Sequence, residues 1–247
     1  MAEMFSVNQI LSELDSHLGR NDYAAAEEHL LFYLGKTDDD KIRLPILNEL
    51  AGLYRKLGRK ADAYEMVNKL LALVAEMKLE TNVGAGTTFI NCATVYKAFG
   101  EAERALPLFE RAVKIYETGL PKNDKRFGGL YNNMGLALVD LGRFNDAYAL
   151  YEKAISVMEK VDGGLLEVAI TYLNIASAKE KELGLEKAEK IIEDLLNKAE
   201  EILENHEPKD GYYAFVCEKC ASVFGYYGFF LYENTLKERV KKIYEGN

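Results

Sequence analysis

Apolar positions along this chain recur three and four residues apart, the spacing of helices that bury one face, and the helices come in similar pairs. The first member of each pair reads Leu47-x2-Leu50-Ala51-x2-Tyr54, Phe89-x2-Cys92-Ala93-x2-Tyr96, Tyr131-x2-Met134-Gly135-x2-Leu138 and Tyr172-x2-Ile175-Ala176. The second reads Ala63-x3-Val67, Ala105-x3-Phe109, Ala147-x3-Tyr151 and Ala188-x3-Ile192. The small residue of the first helix and the alanine of the second are 12 positions apart in all four copies. Two antiparallel helices joined by a tight turn approach closely only where both carry a tiny side chain, so this spacing predicts the crossing point of each pair.

A ruler of 42 residues runs through the same region. Gly58, Gly100, Gly142 and Gly184 each follow Leu or Phe, and an additional Leu-Gly at 18–19 lies 39 residues before Gly58. Glycine after an apolar residue is a helix stop, because it enters the left-handed region at no steric cost. GKTDDDKIRLP (35–45), GLPKNDKRFGG (119–129) and NHEPKDGYY (205–213) carry the Gly, Pro and Asp of inter-pair loops. NVGAGTT (82–88) also reads as such a loop, since it lacks the lysine of a phosphate-binding motif.

With this grammar in place, the chain resembles the tetratricopeptide repeat over roughly residues 43–203, in its longer, kinesin-light-chain style, where helices like YNNMGLA and YEKAISV alternate. The resemblance implies an all-α fold: a right-handed α–α superhelix of about five to six antiparallel helix pairs in a single domain spanning 1–247. Residues 1–40 would form a looser first pair, 43–203 four well-matched repeats, and 210–247 a capping pair. In that last pair Cys217-x2-Cys220-Ala221-x2-Phe224 matches a first helix, but Glu233 stands where the alanine is due, which suits an element whose outer face meets water.

Two positions before each small residue stands a polar group: Glu49, Asn91, Asn133, Asn174 and Lys219. Helical spacing turns this position away from the partner helix, and in a stacked superhelix the first helices line the concave side. Asn48, Arg55, Thr94, Lys97, Asn132 and Ser177 join the row from the same faces, so the adjacent amides Asn132 and Asn133 are expected to face a groove and not the core. An amide offers both a donor and an acceptor, which suits the backbone of an extended ligand whatever its side chains. Kinesin light chains use groove asparagines on cargo peptides, and the resemblance extends that expectation to this row. The carboxylate clamp of chaperone-binding repeats does not carry over, because Asn48 and Gly52 stand where its Lys and Asn are required.

Composition narrows the function without naming it. A formal net charge of −9 argues against nucleic acid as a partner, since phosphate neutralisation needs clustered Lys and Arg. No stretch of eighteen apolar residues predicts a membrane span, the first fifteen residues read as an amphipathic helix and not a leader, and three cysteines suggest a reducing cytoplasm. Cys217 and Cys220 form a CxxC, but neither a second CxxC nor a paired His completes a metal set, so both are expected as core fillers. His17, His29 and His206 fall in different elements with no nucleophile–base arrangement. The aromatic run FGYYGFFLY (224–232) is expected to pack the terminal pair onto the fourth repeat. The reading that follows is a non-catalytic, cofactor-free scaffold holding a protein or peptide ligand in its concave groove. The rival is a sensor of a small signalling peptide that changes superhelix curvature.

Overall fold

Each expected pair is present: the four repeats, a pair before them and a pair after them. The computed structural model describes residues 6–246, so the first five residues of the expected N-terminal helix lie outside the described residues. Among the described residues the chain forms twelve helices and no strand. It divides into two compact units, Met1–Gly119 and Leu120–Asn247.

Unit 1 holds α1 (Val7–Gly19), α2 (Tyr23–Lys36), α3 (Asp40–Lys56), α4 (Lys60–Glu76), α5 (Val83–Ala98) and α6 (Ala102–Gly119). Consecutive helices pack as antiparallel pairs, and α3 lies beside α5, first helix against first helix. The tiny residues sit where the 12-residue spacing placed them: Ala51, Ala63, Ala93 and Ala105 are fully buried. Leu47, Leu50, Leu70, Phe89 and Phe109 fill the space around these crossings. Burying a side chain of that size contributes about 1.5–3 kcal/mol.

Unit 2 holds α7 (Arg126–Asp140), α8 (Phe144–Met158), α9 (Leu165–Leu183), α10 (Leu185–Asn205), α11 (Gly211–Tyr226) and α12 (Phe230–Glu245), with α9 in contact with both α7 and α11. Gly135 takes the small-residue place of α7, and a Cβ there would lie 2.5 Å from Tyr151 Cε1. The ring of Tyr151, itself fully buried, occupies that space. The last two pairs share one core in which Leu173, Ala176, Ala188, Leu196, Cys217, Cys220, Phe224 and Leu236 are buried together. Glu233 is accommodated by Gly225, whose missing side chain leaves room for the Glu233 carboxylate, while Lys237 Nζ donates to Glu233 Oε1 at 2.6 Å.

Several boundaries differ from the expectation. All four ruler glycines have positive φ (70–81°), but at the first turn Gly19 stays in α1 and Asn21 (φ 56°) takes the left-handed place. The loop expected over 35–45 shrinks to 37–39. Asp39 caps α3 by accepting from Lys41 N, and Pro45 sits inside the helix, where the lost hydrogen bond is tolerated. NVGAGTT is not a loop: Asn82 caps α5 by accepting from Gly84 N, and the small residues form the first turns of that helix. They are small for packing reasons, since a Cβ on Gly86 would meet the Tyr116 ring at 2.6 Å. Within FGYYGFFLY, Phe224 is core, Tyr227, Phe229 and Tyr232 pack against it, and Tyr226, Phe230 and Leu231 are exposed. Among the described residues no helix is long and apolar enough to cross a membrane.

Candidate functional site

The amides of the row bond first to one another. In unit 1, Asn48 Nδ2 donates to Thr88 Oγ1 (3.1 Å) and to Leu44 O, while Asn48 Oδ1 accepts from Asn91 Nδ2 (2.9 Å). In unit 2, Asn132 Nδ2 donates to Thr171 Oγ1 (2.9 Å), and Asn132 Oδ1 accepts from Asn174 Nδ2 (3.3 Å). Both sets follow one rule. An asparagine three positions before the small residue of one repeat bridges to a threonine five before, and an asparagine two before, the small residue of the next. Thr88 and Thr171 also donate to their own helices, at Gly84 O and Glu167 O.

This narrows the expectation for Asn132, which is 4 % exposed and has its amide bonded into the seam between α7 and α9 at the wall of a cavity, instead of standing free on a groove surface. The physical reason is that neighbouring first helices touch along that flank, so a position turned from the partner helix can face the next repeat instead of water. Asn48, Asn91 and Asn174 are half-buried and share the same stitching role. The two threonines were missed in the sequence. Their signal was present, as Thr88 and Thr171 stand at one register in alternate repeats while Ile46 and Leu130 stand there in the others.

The remaining row residues separate by unit. In unit 1, Thr94 is half-buried and its hydroxyl donates to Ile90 O and Asn91 O of its own helix, which leaves it little for a ligand. Lys97 is half-buried and Arg55 exposed at the C-terminal end of their helices. Burial pushes the Glu49 carboxyl up, and the charge of Asp15 adds to the rise. In unit 2, Ser177 is exposed beside Tyr227. Glu180 accepts from Tyr226 and Tyr227, each at 2.7 Å, so this carboxylate is already held.

Unit 2 brings four of the row residues to one cavity of about 250 Å³. Asn132, Asn133, Asn174 and Lys219 line it, with Leu136, Glu167, Ile170, Leu173, Cys220 and Val223. Asn133 donates through Nδ2 to Gly129 O and lies beside the seam without joining it. Lys219 is exposed, its ammonium 4.3 Å from the centre of the Phe215 ring. The cavity therefore offers amides, one cation, one carboxylate and an apolar floor. Such a set can hold a peptide backbone and seat a side chain.

The chemistry-bearing side chains elsewhere serve packing. Cys92, Cys217 and Cys220 are free and buried, and burial pushes the Cys92 and Cys220 thiols up to about 12. Among the described residues no group of three or more His, Cys, Asp or Glu is placed to hold a metal ion. Two histidines do come together, against expectation: the His17 and His29 rings are 5.5 Å apart between α1 and α2, with His29 Nε2 2.9 Å from Ile10 O.

Comparison with known proteins agrees with this architecture. The chain is 27% identical over 127 residues to the protein KINESIN LIGHT CHAIN-RELATED 2 of Arabidopsis thaliana, a stretch covering 51% of this chain and 19% of that relative. The crystal structure of BtubC (BKLC) from P. vanneervenii superimposes with a TM-score of 0.68 at 22% identity, over 82% of each chain. A Rap protein complexed with Competence and Sporulation Factor superimposes with a TM-score of 0.54 at 12% identity, over 95% of this chain and 73% of that one. The tetratricopeptide repeat family model matches residues 43–118 and 127–205, more than half of the sequence, and those stretches are the stacked pairs with small residues at their crossings. The chain is a member of the tetratricopeptide repeat family, a fold that mediates protein–protein interaction.

Proposed function

We propose that this protein is a non-catalytic scaffold that holds an extended peptide or partner segment against its first helices. The observation carrying this reading is the unit 2 cavity, where Asn133, Asn174 and Lys219 surround an apolar floor. Asn133 is the amide best suited to a ligand, because Asn48, Asn91, Asn132 and Asn174 already exchange hydrogen bonds between repeats. A solved neighbour in fold, the Rap protein, is itself complexed with Competence and Sporulation Factor, which supports a ligand-holding use of the repeats here. No observation on these residues favours the rival, a sensor working by curvature change.

A peptide array probed with the full chain tests the reading. Captured peptides should lose binding to Asn133→Ala while its melting temperature stays unchanged. Ligands that bind Asn133→Ala, Lys219→Ala and the parent chain equally would remove the cavity from the mechanism.

A further inference from the structure

The unit 2 cavity does not end at its own rim. It shares Glu167 with a second cavity of about 460 Å³, which shares Val161, Asp162 and Tyr212 with a third of about 710 Å³. These three openings with shared walls lie side by side from the first-helix face past the start of α9 to the loop before α11. The last of them has an apolar floor that water reaches: Leu165 is 48% exposed and Tyr212 50%. Apolar side chains so exposed are seats for a partner's apolar atoms.

Charge decides which partner. The middle cavity carries Lys125 and Arg126, but the far cavity, where the apolar shelf lies, is lined by five carboxylates and by neither Lys nor Arg. Asp210 is used as the cap of α11, accepting from Tyr213 N, and Glu207 lies 3.8 Å from Lys209 Nζ. Glu159, Asp162 and Glu201 have no ion pair among the described residues. A side chain suited to an apolar shelf under an acidic wall has a long hydrocarbon stem and a cationic head. Lysine and arginine have that form: the stem covers Leu165, the head stays in water beside the carboxylates, and the Tyr212 ring offers its face to the cation.

We infer that these adjoining cavities of unit 2 select an extended segment in which a lysine or arginine neighbours an apolar residue, the basic side chain lying over Leu165 and Tyr212 against Glu159, Asp162 and Glu201. This rests on the peptide-holding reading above and adds the partner's chemistry to it. Binding is steered by charge and oriented by the shelf, so a segment of opposite sign is rejected at the same wall.

Fluorescence anisotropy with fluorescein-labelled peptides made of Lys-Leu-Ser, Gln-Leu-Ser or Glu-Leu-Ser repeats tests this on the full chain, at about 0.15 M ionic strength to screen distant charge. The lysine peptide should bind saturably and the glutamate peptide should not. Combining Glu159→Gln, Asp162→Asn and Glu201→Gln should weaken the lysine peptide about tenfold or more, as should Tyr212→Ala. The charge-matched set Glu189→Gln, Glu193→Gln and Asp194→Asn, on the exposed face of α10, should change it less than about twofold. Equal weakening by both sets would reduce the effect to general attraction by the acidic chain and overturn the inference. So would preference for the neutral or acidic peptide; if that binding is lost in Asn133→Ala, the groove reading stands and only the basic preference falls. If no peptide binds here or on the array, both fall.

Discussion

Replacing Asn132 by alanine separates a stitching role from a ligand-binding one. The side chain is 4% exposed and makes two bonds, one donated to fully buried Thr171 and one accepted from half-buried Asn174. In Asn132→Ala, Thr171 keeps its own donation to Glu167 O but loses the bond it accepted, and Asn174 Nδ2 can recruit water. Stranding a buried polar partner costs about 1–3 kcal/mol, and the solvated partner adds little, so the loss should be about 2 kcal/mol. At about 2–4 °C per kcal/mol for a chain of this size, the melting temperature should fall by roughly 4–8 °C in circular dichroism. Adding Thr171→Val should cost less than the sum of the single changes, with a coupling of about 0.5–1.5 kcal/mol in urea unfolding. A melting temperature unchanged in Asn132→Ala, with peptide binding abolished, would refute the seam and return this amide to the groove.

Other perturbations probe the crossings and the charges. Ala147→Phe should overpack the α7–α8 pair, where Ala147 is fully buried, and cost about 1–3 kcal/mol by denaturant unfolding. Gly135→Ala forces a carbon to within 2.5 Å of the Tyr151 ring, so it should destabilise although alanine favours helix. Tyr151→Phe should be neutral or stabilising, because the buried Tyr151 hydroxyl has no hydrogen-bond partner among the described residues. Lys60 and Arg104, each paired with the Glu101 carboxylate, hold its carboxyl down at about 2. Its contribution is therefore fully present above the ordinary carboxylate range and fades as pH falls from about 4.5 to about 2, and Glu101→Gln should flatten that limb of the acid-unfolding curve. Cys92 and Cys220, with thiols raised to about 12, should resist iodoacetamide at pH 8 until the chain is unfolded, since roughly one thiol in ten thousand is ionised there.

The helix pairs were legible in the sequence because their determinants are local and repeated. A tiny residue, an alanine 12 positions on and a glycine between them specify a crossing and a turn wherever they occur, and Ala51–Ala63, Ala93–Ala105 and Ala176–Ala188 obey that rule with full burial. The amphipathic spacing likewise marked Leu50, Phe89, Tyr151 and Phe224 as core. Element starts were less legible. Pro45 and the glycines of NVGAGTT look like breaks in one dimension, yet a cap at Asp39 or Asn82 and a close neighbour such as Tyr116 make helix the better solution.

The fate of the amides belonged to tertiary structure. Asn132 and Asn133 are adjacent and chemically identical, and one-dimensional spacing sends both to the same side of α7. Only the neighbouring helix distinguishes them: α9 brings Thr171 and Asn174 against Asn132, burying it and engaging its amide, while Asn133 on the same cavity wall bonds to Gly129 O of its own helix. The adjoining cavities are likewise assembled from residues far apart in sequence, with Glu167, Tyr212 and Lys219 contributed by two helices. Sequence periodicity determined which helices pair and where they cross, because each such contact is encoded within one repeat; which polar groups stay free for a ligand was decided between repeats, where hydrogen bonding to the next helix competes with everything outside.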